Sequence, residues 1–391
     1  MFRLVTVCLL ALVLAVSVSS SSVACPFCSA PSLTLCEQLN MSDAAVLVEW
    51  ADGKPADRDK GFAGSTQYSI LKVVHDSSGN LKVGGKIHIE RYRAAKAGDM
   101  FLLLGTKTTE LEWGSPLEVT ETSFNYITQA PSKEAAAQQR LIYFLKFLEF
   151  SDTIVADDAY GEFANAQYKD IVAVRDQFPR EKIRSWLDNP QTSPSRLGLY
   201  GLMLGLCGTP DDAAYLEKRL LQPVEGFRLG IDGMMGGYLL LAADKGLTVL
   251  EDAKLKNKSV PFSETYATMQ ALRFMWQYGD GKIGKDRLRQ SMRILLDRPE
   301  LADLVIVDLA RWQDWSVSDR LMELYGKEGY DIPSTKRAIV RFYLTAESAK
   351  PKDPKETVPP HVEVAKKHLK TLREKDPETV KAAEEFFYLN F

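Results

Sequence analysis

The hydrophobic pattern of this chain changes period once, near residue 131, and that change bounds what the chain can build. Before it, short runs either alternate apolar and polar residues or are uniformly apolar. Gly, Asn and Asp separate them, which is the signature of strands and turns. After it, apolar residues recur three and four apart in longer runs, the signature of amphipathic helices. The expectation is an α+β chain in which a β-rich domain precedes a helical one.

Within residues 25–130 five strands are expected. Asp43–Trp50 is an Ala/Val/Leu run, and Thr66–His75 alternates and is β-branched. The turn Asp76-Ser-Ser-Gly-Asn80 leads into Leu81–Glu90. Met100–Leu104 is apolar throughout and so belongs at the centre of a sheet, and Leu117–Ile127 supplies a last extended segment. Five such strands suit a small closed barrel.

From 132 to 348 helical runs alternate with short breaks. Lys133–Phe150 reads as one long helix, and Ser151–Asn165 as a second that opens on a Ser cap and an acidic first turn. Pairs follow: Pro194–Cys207 with Pro210–Leu221, Glu225–Ala243 with Leu247–Lys256, Glu264–Tyr278 with Lys285–Leu296, Leu301–Trp312 with Val317–Tyr325, and Pro333–Ala346. The pairs start at intervals of 31 to 39 residues, a helix-pair repeat spacing. Residues 349–360 hold four prolines among alternating charges and read as a linker or loop, and 361–391 as capping helices.

The first 24 residues read as a signal peptide. Arg3 is followed by an apolar run from Leu4 to Val18 and by the small-x-small site Ser22-Val23-Ala24. The run is shorter than the roughly 20 residues a spanning helix needs. Cleavage after Ala24 starts the mature chain at Cys25-Pro26-Phe27-Cys28 and leaves 48 basic against 52 acidic side chains. That near-neutral balance argues against a nucleic-acid binder. Four cysteines remain, Cys25, Cys28, Cys36 and Cys207. A bridge Cys25–Cys28 or Cys28–Cys36 is expected in an exported context, with Cys207 packed in a helix. The small residues before Cys25 also suit lipid attachment at its sulfur, which would exclude that sulfur from any disulfide.

Several resemblances attach to these residues. The mature N-terminal Cys, the strand Ala44-Ala-Val-Leu-Val48, the pair Gln67–Lys72 and Lys86–Ile89, and Met100–Leu104 together resemble the netrin-like OB-fold module of tissue inhibitors of metalloproteinases. That likeness implies zinc chelation by the amine and carbonyl of Cys25. Cys-Pro-Phe-Cys is similar to the active-site tetrapeptide of glutaredoxin-type oxidoreductases, which implies thiol–disulfide exchange. The helix pairs resemble HEAT-like repeats, which implies an α-solenoid, with an irregular helical-repeat domain or bundle as the alternative. The whole order, with Ala24-Cys-Pro-Phe-Cys-Ser-Ala30 leading a β-domain into helices, resembles an uncharacterised family of predicted exported bacterial proteins with an N-terminal CPFC motif.

Other patterns have plainer readings. Gly279–Asp286 nearly spells a phosphate loop, but Asp286 stands where a hydroxyl must bind magnesium, so it reads as a helix stop. Gly226, Gly230, Gly233, Gly236 and Gly237 recur at helical spacing and permit close helix packing. His75, His88, His361 and His368 lack metal-ligand spacing, so no metal or cofactor is expected. The adjacent acids Asp157-Asp158, Asp211-Asp212 and Glu384-Glu385 read as solvated faces or first-turn charges. Trp312 and Trp315, three apart, read as packing on one helix face, with a partner-binding groove as their candidate functional role. With no catalytic constellation, the expected function is an exported, non-enzymatic interaction or scaffold protein of the cell envelope that binds a macromolecular partner. The alternatives are a thiol–disulfide protein using Cys25 and Cys28, with Cys36 a further candidate disulfide or redox residue, and a protease-inhibitor-like module.

Overall fold

The structure, a computed structural model, describes residues 24–28, 33–57, 59, 61–223, 226–349 and 357–388. The expected leader lies outside the described residues except for Ala24, as does most of the expected linker. The chain is α+β. An antiparallel sheet of six strands precedes a body of helices, and no helix among the described residues is long and apolar enough to cross a membrane.

The strands are β1 (Ala44–Lys54), β2 (Ser65–Asp76), β3 (Lys86–Ile89), β4 (Met100–Lys107), β5 (Leu111–Trp113) and β6 (Leu117–Glu118), in the order β3-β2-β1-β4-β5 with β6 also on β4. Because β1 is paired on both sides and covered on both faces, Ala44–Val48 are all buried. One face gathers Val46, Val48, Tyr68, Ile70, Phe101 and Leu103 into a small core of its own. Leu47 and Leu102, facing the other way, join the main core with the helices.

The sheet is open, which corrects the expected closed five-stranded barrel. Closure needs long outer strands that reach each other. Here β3 has 4 residues and β5 has 3, at opposite edges. The last expected strand, Leu117–Ile127, is extended only through Glu118. Thr120 then accepts from the Ser123 amide at 3.1 Å while Ser123 Oγ accepts from the Thr120 amide at 2.9 Å. That reciprocal cap starts a helix in which Phe124 and Ile127 share a buried side.

The helices are α1 (Leu35–Met41), α2 (Glu121–Gln129), α3 (Ala137–Leu145), α4 (Thr153–Asn165), α5 (Tyr168–Ala173), α6 (Arg180–Asp188), α7 (Leu197–Cys207), α8 (Pro210–Leu220), α9 (Ile231–Leu250), α10 (Phe262–Tyr278), α11 (Lys285–Ile294), α12 (Ala302–Arg311), α13 (Ser318–Leu324), α14 (Pro333–Ser348), α15 (Pro360–Lys375) and α16 (Pro377–Tyr388). The long helix expected over Lys133–Phe150 is only α3, because Ala136 is extended and supplies no side-chain cap. The break expected after Ala243 is a kink at that residue inside α9 (φ 46°).

Two devices join successive helices. Gly198, Gly201 and Gly205 of α7 lie against Gly233, Met234 and Gly237 of α9 so closely that an added methyl group would strike backbone. This is why α7, buried on nearly every side, carries glycine among its leucines. The second device is an arginine reaching from one layer to a buried acid in another. Arg180 and Arg184 meet Asp212 at 3.0 and 3.3 Å, Arg228 meets Glu264 at 2.7 Å, and Arg287 meets Glu251 at 2.8 Å. Arg273 meets Asp308 and Arg293 meets Asp314, each at 2.6 Å.

Candidate functional site

The Cys-Pro-Phe-Cys motif does not sit on the sheet. Ala24 forms an antiparallel bridge with Gln167, and the Cys25 amide donates to Ala164 O at 3.2 Å, so the motif is stitched to the end of α4. Phe27 enters the helical body, its ring 4.8 Å from that of Phe274 and against Gly236, where any side chain would collide with it. Cys25 is bonded to Cys28 and is 4% exposed. The sulfur that a lipid anchor at Cys25 needs is therefore engaged. The nitrogen and carbonyl that metal chelation by Cys25 needs are also engaged, the carbonyl accepting from the Cys28 amide at 3.3 Å. Cys36 and Cys207 are free thiols.

Cys36 lies on α1, a helix absent from the sequence-based expectation. Its signal is Thr34-Leu-Cys-Glu37, a capping box: the Glu37 amide donates to Thr34 Oγ1 at 3.1 Å and the Thr34 amide to Glu37 Oε2 at 2.8 Å. The helix docks on α4, which offers Asp158 and Glu162 one turn apart on one face. Asp158 Oδ1 accepts from the Leu35 amide at 2.5 Å and Oδ2 from Tyr126 Oη at 2.8 Å. Glu162 Oε1 accepts from Thr34 Oγ1 at 2.6 Å and Oε2 from Arg140 at 2.5 Å. The Cys36 sulfur and one oxygen of each acid lie within 4.8 Å of one another, and all three residues are buried.

The electrostatics of this cluster follow from burial and a shortage of cations. Burial pushes the Cys36 thiol far above its usual value, and the charges of Glu162 and Asp158 push it further. Burial also raises Asp158 and Glu162, against the hydrogen bonds that stabilise their charged forms. Tyr126 rises for the same reason, with Asp158 beside it. A thiol held neutral in this way is a poor nucleophile but becomes a strong ligand once a cation displaces its proton. A cleft of about 210 Å³ lined by Glu37, Arg140, Glu162, Asn165 and Asp170 opens beside the cluster.

Sequence reasoning missed Asp158, Glu162 and Tyr126 as a set. It placed Asp157-Asp158 on a solvated face, whereas Asp157 is exposed and Asp158 buried; the pair Asp211-Asp212 divides in the same way. Adjacent helical residues point about 100° apart, so one of two acids can face the core. The available signal was the four-residue spacing from Asp158 to Glu162.

Trp312 and Trp315 do not share a helix face, because α12 ends at Arg311 and Gln313 turns the chain with φ 56°. Trp312 stacks on Trp276 at 4.4 Å between ring centres, and Trp315 packs on Phe342 and His361. Both rings are engaged within the chain. The exposed apolar side chains lie elsewhere. Phe227, 72% exposed, and Leu229 line a cleft of about 250 Å³ with Arg219 and Gln222. An adjoining cleft of about 300 Å³ shares Gln222 and is lined by Leu221, Val260 and Pro261, next to exposed Phe262.

No family model matches the chain, and neither does any curated protein or solved structure.

Proposed function

We propose that this is an exported, non-enzymatic interaction or scaffold protein of the cell envelope, which binds a protein partner through the two adjoining clefts on the α8–α10 side. The observation that carries this reading is the cluster of exposed Phe227, Leu229, Leu221 and Phe262 around clefts joined at Gln222. Exposed apolar side chains gathered at concave surfaces are the usual anchors of a protein interface. The helix pairs behind them form a HEAT-like stack in this proposal. Its support is the recurrence of arginine–acid bonds from layer to layer, which hold a binding surface in shape.

The thiol–disulfide alternative draws on the Cys25–Cys28 bond, but exchange at Cys25 requires a thiolate to reach its sulfur in line, and Cys25 is enclosed while Cys28 is half-buried. The inhibitor alternative needs the Cys25 backbone groups that are bonded internally.

Affinity capture from the native envelope tests these readings together. Wild type should retain a partner that a Phe227→Asp/Leu229→Asp variant loses and a Cys28→Ser variant keeps, with all three equally folded by circular dichroism. Retention by the aspartate variant would remove the cleft reading. Loss in the Cys28→Ser variant alone would put the thiol reading in its place.

A further inference from the structure

We propose that Cys36, Asp158 and Glu162 form a binding site for one divalent cation of the zinc class. The ligand set comes from two elements distant in sequence, a thiol on α1 and two carboxylates on α4, whose candidate ligand atoms converge within 4.8 Å. A tetrahedral cation with bonds of roughly 2.0–2.3 Å spaces its ligands about 3.5 Å apart, so side-chain shifts of about 1 Å complete the site. A set of one sulfur and two oxygens suits zinc and its borderline neighbours better than the hard, all-oxygen cations magnesium and calcium.

Two further observations point to a ligand. Among the described residues the Cys36 thiol, 4% exposed, is in no disulfide and has no hydrogen-bond partner, although its sulfur lies within 4.8 Å of an oxygen of each carboxylate. Both carboxylates are already oriented by outer partners: Leu35 N and Tyr126 Oη on Asp158, Thr34 Oγ1 and Arg140 on Glu162. Each oxygen that accepts one hydrogen bond keeps a second lone pair for a cation. An outer shell of this kind fixes metal ligands in place. The second observation is charge. Of the two buried acids only Glu162 meets an arginine, and a cation that displaces the thiol proton would leave the cluster with three negative ligands around two positive charges and Arg140. The cleft beside Glu162 gives a cation its way in.

Binding releases one proton: the thiol loses its hydrogen to solvent as the sulfur–metal bond forms. No electron moves, and the Cys25–Cys28 bridge takes no part.

Cobalt(II) is the probe. The full chain, stripped with chelator and with its disulfide intact, is titrated with cobalt chloride while the near-ultraviolet thiolate-to-cobalt band is recorded. The expected result is a band that saturates at one cobalt per chain and is abolished by zinc. It should be absent in Cys36→Ser and unchanged in Cys207→Ser. Glu162→Gln should weaken cobalt binding at least tenfold. If Cys36→Ser does not fold, wild type alone decides: zinc should slow alkylation of Cys36, read by peptide mass, without slowing that of Cys207. A missing band, a band that survives in Cys36→Ser, or equal protection of both thiols overturns the site.

Discussion

The two halves of the helical body treat buried acids differently. Beyond residue 200 the five buried acids among the described residues, Asp212, Glu251, Glu264, Asp308 and Asp314, each meet at least one arginine. On α4, Arg140 reaches Glu162 but not Asp158, which among the described residues is held by a backbone amide and a phenol. Matched acids serve packing, because their charge is neutralised where it stands. Under-matched acids beside a thiol keep a negative surplus, and a surplus left in a protein interior is a place for something to bind.

The sharpest way to break this contrast is Glu264→Ala, which strands Lys254, only 6% exposed at its side chain, without its partner. Leaving one member of a buried pair uncompensated should cost about 4 kcal/mol, read from denaturant midpoints. A cost below about 1 kcal/mol would mean that the matched acids do not hold the layers together.

Arg140→Met tests the other half and should cost less, about 2 kcal/mol at pH 8, because Glu162 can relieve its stranded charge by taking a proton. Its carboxyl is already raised by burial, so the folded state binds that proton more tightly than the unfolded chain does. Ionised Glu162 therefore opposes folding above its folded pKa, and the opposition fades as pH falls through that value. The variant's deficit should shrink as pH falls from 8 toward the ordinary glutamate range. A deficit independent of pH would remove the charge explanation.

The smallest effect is expected at Asp376, on the rim between α15 and α16. Burial pushes its carboxyl up, but bonds from Lys336, Tyr325 and Thr379 outweigh that and hold it at about 2. A lowered carboxyl stabilises the fold above its unfolded value, and this contribution is lost as pH falls toward 2. Wild type should exceed Asp376→Asn by about 1 kcal/mol at pH 7, given solvent screening, and the two should converge near pH 2.

The strong periodicities were legible from the amino-acid order. β1, β2, β4 and most of the paired runs from 194 to 348 lie within a few residues of expectation, because each has a long apolar run to bury, whereas the pair expected on either side of Ala243 is one kinked helix that begins only at Ile231. What the order hid was decided by contact. Leu117–Ile127 alternates well enough for a strand, yet the Thr120–Ser123 cap turns its second half into helix. Closure of the sheet depended on outer strands whose lengths no local pattern sets. The cluster around Cys36 was the least visible part. Its members are spread from residue 34 to residue 162, and which of two adjacent acids turns inward depends on the docking of α1.

The seating of Phe27 also has a temporal side. Its contacts lie on Gly198, Gly236 and Phe274, so the earliest described stretch of the chain waits for partners made some 170 to 250 residues later. Closing so long a loop is slow compared with forming helix pairs from neighbouring segments. Until that happens the helical body does not yet cover Cys25, which in the finished fold is only 4% exposed. Once Phe27 is in place, a ring from the start of the described chain locks helices made long after it, and Cys25 is shut in behind it.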